Sequence, residues 1–146
     1  MSRARLSAAV VAVSCLAGCV TPATGSDSYA DKAVTSVRAA TSEVATAELT
    51  VRQLRQRRVF TPYADETITA NESALGSINA AFTSVQPPAP DDALRDDISD
   101  LLGDAEDAVA HARIAARRSD SEQLVEAQKE LRTVLTDLSA AEKQLS

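Results

Sequence analysis

The amino-acid sequence predicts an all-α protein, an antiparallel up-down-up-down four-helix bundle. Three observations carry that expectation. Apolar residues recur at alternating spacings of three and four through most of the chain, the mark of one buried face of an α-helix. Only 4 of the 146 residues are glycine, and the 5 prolines sit at segment boundaries, so little interrupts a helix. The links between periodic segments are short, so neighbouring helices must fold back on one another to bury their stripes.

The first helix is expected over 28–58. Ala30/Ala33, Val37/Ala40, Val44/Ala47 and Val51/Leu54 hold a coiled-coil-like repeat there, and Ser28 followed by Asp31 reads as its start. Thr61-Pro62 restarts the chain, threonine as cap and proline where no amide donor is required. The second helix, 62–85, aligns Ala64, Ile68, Asn71, Leu75, Ile78, Phe82 and Val85 before the proline-rich stretch from Gln86 to Pro90 ends it. Asp91 or Asp92 caps the third, 91–118, whose stripe is Leu94, Ile98, Leu101, Ala105, Ala108, Ala112 and Ala115. Leu102 and Val109 widen that stripe and would serve for pairing of bundles if exposed. Ser119 to Glu122 has the spacing of a capping box and opens the fourth helix, 120–145, with Leu124, Ala127, Leu131, Val134, Leu138, Ala141 and Leu145 inward. The alternative is a three-helix bundle in which the last two helices are continuous, and the capping box speaks against it. Stripes of alanine and valine allow close approach but bury less area than leucine, at about 25 cal/mol per Å². They imply a narrow, filled core without a large cavity, and leave open a long groove between two helices.

The first eighteen residues follow another logic. Arg3 and Arg5 precede an apolar run over 6–16, and Ala17 and Gly18 precede Cys19, the order of a secretory leader. The run is shorter than the ~20 residues of a permanent membrane span. Leu16-Ala17-Gly18-Cys19 resembles the lipobox of bacterial lipoproteins. That resemblance covers the leader and one further residue. It implies removal of 1–18 and attachment of a diacylglycerol to the sulfur of Cys19, which becomes the first residue. It further implies a lipid-anchored protein on the extracytoplasmic face of the cell membrane, or of an outer membrane in a cell that has one. Residues 19–27 read as a flexible tether, and the bundle occupies 28–146. Because Cys15 leaves with the leader, no free thiol remains for redox chemistry or metal binding.

Removing Arg3 and Arg5 leaves 13 basic residues against 21 acidic ones, a net charge of −8. Such a chain does not read as a nucleic-acid binder, which needs a basic face. With 3% aromatic residues and no tryptophan, it offers little stacking surface. No phosphate loop, nucleophile elbow or paired-cysteine motif occurs. The sequence implies no cofactor and no enzyme.

Asp104, Asp107 and His111 share one flank of the third helix, and Asp107 with His111 forms a weak candidate metal pair. That flank sustains the alternative of a metal- or small-ligand-binding lipoprotein. Helix-borne di-iron sites, however, require histidines and glutamates on several helices, and a solvated Asp–His pair explains the spacing as well. Asn71, between Ile68 and Leu75 on a buried stripe, is expected to fix helix register.

The strongest surface signal is Arg52, Arg55, Arg57 and Arg58, which a four-helix arrangement brings to the same end as Arg113, Arg117 and Arg118. Against Asp65, Glu66, Asp120 and Glu122 these seven give that end about +3 and the rest of the lipidated form about −11. Helix dipoles favour cations at helix C-termini, but they do not explain an excess of seven to four. The expected first helix spans ~46 Å, which puts this end far from the lipid and beyond the ~8 Å reach of membrane charge. Asp91, Asp92, Asp96, Asp97 and Asp100 mark the near end. The expected role is a tethered scaffold or binding module whose basic tip meets an anionic envelope polymer or an acidic protein.

Overall fold

The structure, a computed structural model, describes residues 25–146. The expected leader at 1–18, Cys19 and the tether as far as residue 24 lie outside the described residues. Four helices follow one another: α1 (Ser26–Arg55), α2 (Thr61–Thr83), α3 (Asp92–Arg118) and α4 (Ser121–Leu145), with one 3-10 turn, Ala89–Asp91, leading into α3. They form an antiparallel four-helix bundle. A break between α3 and α4 at Ser119 and Asp120 rules out the three-helix alternative.

Each helix packs on its two sequence neighbours, and α4 closes the ring on α1. One diagonal is short as well: α1 reaches α3, whereas α2 does not reach α4. Side-chain size accounts for the difference. Ala33, Ala40 and Ala47 of α1 and Ala105, Ala112, Ala115 and Ala116 of α3 are all buried, so these two backbones approach closely. Around that diagonal sit the larger core residues Ile68, Leu75, Leu131 and Leu138, each fully enclosed. Leu102 and Val109 are also fully buried, so neither provides a surface for pairing bundles. Of the expected stripe positions, Ala30, Leu54, Ile78, Val85, Leu94, Leu101, Ala141 and Leu145 are only partly buried and cover the edges of the core.

The helix ends depart from expectation for local reasons. The first helix starts at Ser26 with Gly25 before it and no side-chain cap, so Ser28 does not open it. It stops at Arg55 because Arg57 turns into the left-handed region at φ 57°. There Arg57 N–H donates to Leu54 O and Arg58 N–H to Gln53 O, each at 2.9 Å, the two bonds of a Schellman closure. Thr61 is already helical, preceded by Phe60 in extended conformation, and Pro62 occupies the first turn. Ser119 does not cap α4. It is left-handed at φ 52° and closes α3 in the same way, with Ser119 N–H donating to Ala116 O and Asp120 N–H to Ala115 O. Asp120 is the cap of α4, its carboxylate accepting from the N–H groups of Glu122 and Gln123 at 3.0 and 3.1 Å.

Candidate functional site

The C-termini of α1 and α3 meet at one end of the bundle, as the two chain reversals there require, and bring the seven expected arginines together. Their surroundings then divide them. Arg113 forms a two-bond pair with Glu72 of α2, and those bonds, with the charges of Glu72 and Asp65, raise the guanidinium pKa against the opposing effect of burial. Arg117 Nε donates to Asp65 Oδ1 at 2.6 Å. Arg55 donates to the side-chain oxygen of Gln128. Arg52 lies 3.8 Å from Glu48. Arg55, Arg113 and Arg117 thus tie neighbouring helices together, whereas Arg52 pairs within α1; Arg52 and Arg113 are half-buried, and Arg55 and Arg117 are exposed.

Glu48 is the hub of the α1–α4 part of this lattice. It is 7% exposed, and its Oε1 accepts from Gln128 Nε2 at 2.7 Å and from Arg132 Nε at 2.9 Å. Burial pushes its pKa up, but hydrogen bonds from Gln128 and Arg132 and the charges of Arg52 and Arg132 outweigh burial and hold it below the ordinary carboxylate value.

Arg57, Arg58 and Arg118 are exposed and have no carboxylate partner among the described residues. Arg55, also exposed, likewise has no carboxylate partner there, only the amide oxygen of Gln128. Arg57 lines an open notch of about 590 Å³ between the α1–α2 reversal and the start of α4. Its lining is mixed: Leu54, Val59, Phe60, Leu124 and Val125 form an apolar side, and Arg55, Arg57, Thr61, Ser119 and Ser121 supply the polar remainder. Phe60 is 85% exposed, and Tyr63, in the first turn of α2, is 60% exposed. The chain has only 2 phenylalanines and 2 tyrosines, so half of its aromatic residues stand in solvent beside the arginine run. Sequence reading passed over Phe60 and Tyr63. Their signal was position: large apolar residues at a helix junction, off every buried stripe.

The flank of α3 resolves differently. His111 Nδ1 lies 3.0 Å from Glu130 Oε2 on α4, so its contact is across the bundle surface. Asp104 and Asp107 are exposed on the same helix. Among the described residues no group of three or more His, Cys, Asp or Glu side chains is placed to hold a metal ion.

Asn71 is 5% exposed. Its amide satisfies both neighbours when Nδ2 donates to Glu43 Oε2 at 3.0 Å and Oδ1 accepts from the N–H of Ala47 at 3.2 Å. Both partners are on α1, so this core amide ties α2 to α1 at one height.

No protein-family model, characterised protein or solved structure matches this chain. No helix among the described residues is long and apolar enough to cross a membrane.

Proposed function

We propose that this protein is an envelope lipoprotein, anchored through acylated Cys19, whose bundle is a rigid spacer and binding module presenting Arg57, Arg58 and Arg118 to an anionic partner. The observation that carries the reading is that these three arginines lack carboxylate partners at one end of a molecule that is otherwise strongly acidic. The 30 residues of α1 extend about 45 Å, so that end stands far from the residue where the tether enters the helix. Two or more acyl chains on one cysteine hold a protein on a bilayer firmly, at about 0.8 kcal/mol per buried methylene. The aspartates of the opposite end, Asp92, Asp96 and Asp97, are exposed, and an anionic lipid surface repels them.

Two experiments test the reading separately. Growth with a labelled fatty acid should label the wild-type protein and leave Cys19→Ala unlabelled, and an unlabelled wild type removes the anchor. Retention of envelope extracts on wild type and on Arg57→Gln/Arg58→Gln/Arg118→Gln tests the tip. The triple variant should lose at least one salt-sensitive ligand, and identical recovery from both rejects the binding role.

A further inference from the structure

We infer that the tip captures an acidic peptide segment by an apolar anchor residue seated in the notch beside Phe60. This rests on the basic-tip reading above and adds to it the chemical class of the partner.

The notch joins two features that the arginines alone do not provide. Its volume of about 590 Å³ falls within the roughly 300–1,000 Å³ typical of small-ligand pockets. One side of it is apolar, and two of the residues forming that side, Phe60 at 85% and Val125 at 44%, are exposed. An apolar wall left open to water gains most from a partner that covers it, and an aromatic or aliphatic anchor in a desolvated pocket is the usual centre of such a contact. Arg55 and Arg57 both line the notch, and Arg58 and Arg118, equally free of carboxylates among the described residues, belong to the same end.

Charge and shape together select the occupant. A phosphate- or carboxylate-bearing polymer satisfies the arginines but makes no use of a concave apolar wall. A bilayer offers a broad surface that cannot fill a notch. A peptide with acidic residues around a leucine or phenylalanine supplies both, its carboxylates reaching the arginine rim and its anchor covering Phe60 and Val125. The anion does not sit on the α4 N-terminus, because the Asp120 carboxylate already accepts from the N–H groups of Glu122 and Gln123.

The test uses the full-length protein and three labelled acidic peptides of equal length, read by fluorescence anisotropy. One peptide carries a central Leu-Phe pair, one carries Ala-Ala there, and one is glutamate throughout. The Leu-Phe peptide should bind about tenfold tighter than the Ala-Ala peptide, a difference of ~1.4 kcal/mol. Phe60→Ser with Val125→Ser should erase that preference while leaving the weaker binding of the other two peptides unchanged. Arg57→Gln/Arg58→Gln/Arg118→Gln should weaken all three. Equal affinity for the three peptides overturns the anchor and leaves the basic tip standing, whereas no salt-sensitive binding of any acidic probe rejects both. Tighter, Phe60-dependent retention on vesicles containing one-third anionic lipid would make a membrane the occupant. Phe60-dependent self-association in sedimentation would make it a second copy of the chain. Either result overturns the peptide.

Discussion

Arg57 and Ser119 hold equivalent positions at the two chain reversals of one end of the bundle. Both are left-handed, at φ 57° and 52°, and each follows a helix closed by the same pair of backbone hydrogen bonds. No described glycine is left-handed, Gly25 being extended at φ 164°, so the only two described residues in that conformation carry side chains. Replacing either with glycine relieves the clash of Cβ with the backbone and should stabilise the fold by about 1 kcal/mol, despite the added freedom of the unfolded chain. Thermal unfolding should show a rise of roughly 3–5 °C for Arg57→Gly and for Ser119→Gly. Only Arg57→Gly should also weaken capture of acidic probes. An unchanged or lower melting temperature in both variants would show that the closures are not strained.

Acid should expose the role of Glu48. Its folded-state pKa is held below the ordinary value of 4.5, so the folded protein binds a proton there less readily than the unfolded chain does. The stabilisation is complete above that value and is lost as pH falls through the lower folded value. Glu48→Gln keeps an oxygen acceptor for Gln128 and Arg132 but removes the charge. At pH 7 it should cost about 1 kcal/mol. Urea unfolding from pH 7 to pH 3 should show the gap from wild type closing below about pH 4.5, and a gap constant over that range would mean the charge contributes nothing.

The core amide of Asn71 serves position more than stability. Glu43 is only half-buried and stays hydrated without it, and the N–H of Ala47 lies within the α1 ladder. Asn71→Leu therefore loses about one net hydrogen bond and gains a buried branched side chain. A higher melting temperature is expected, with broadened amide signals in α2 if register loosens. A large drop would show that the Glu43 contact is essential to the fold.

Ala112 has no exposed surface, in the stripe of the helix that forms the short diagonal. Adding three carbons there forces the α1–α3 approach apart or twists neighbouring side chains, a cost of typically about 1–3 kcal/mol. Ala112→Leu should lower the denaturant midpoint accordingly, and a neutral result would reveal slack in the core.

Periodicity made the architecture legible because burial repeats along a helix. Ala33, Val37, Ala40, Val44, Ala47 and Val51 alternate at four and three, and all six are fully enclosed. The junctions were less legible, because a side chain such as Thr61 or Ser119 suits several cap roles and only the backbone angle decides among them. At the tip, composition located the arginines, but pairing depends on long-range neighbours. Glu72 and Asp65 neutralise Arg113 and Arg117 from α2, at sequence separations of 41 and 52. Glu48 and Gln128 likewise form a buried polar pair 80 residues apart, which no local pattern contains. Tyr29 escaped for a related reason: it precedes the repeat by one position, yet it is fully buried.

Tyr29 yields the last prediction. Its ring stacks at a tilt against Phe82, with centroids 5.6 Å apart, and its hydroxyl is buried without a hydrogen-bond partner among the described residues. Burial raises its pKa, Arg95 lowers it, and the charges of Asp91, Asp92 and Asp96 raise it further. A buried hydroxyl left unpaired costs about 1–3 kcal/mol. Tyr29→Phe removes that cost and keeps the ring contact with Phe82, so the variant should gain about 1 kcal/mol in chemical denaturation. A comparable loss would show instead that the hydroxyl is engaged, through an ordered water or through the chain that precedes Gly25.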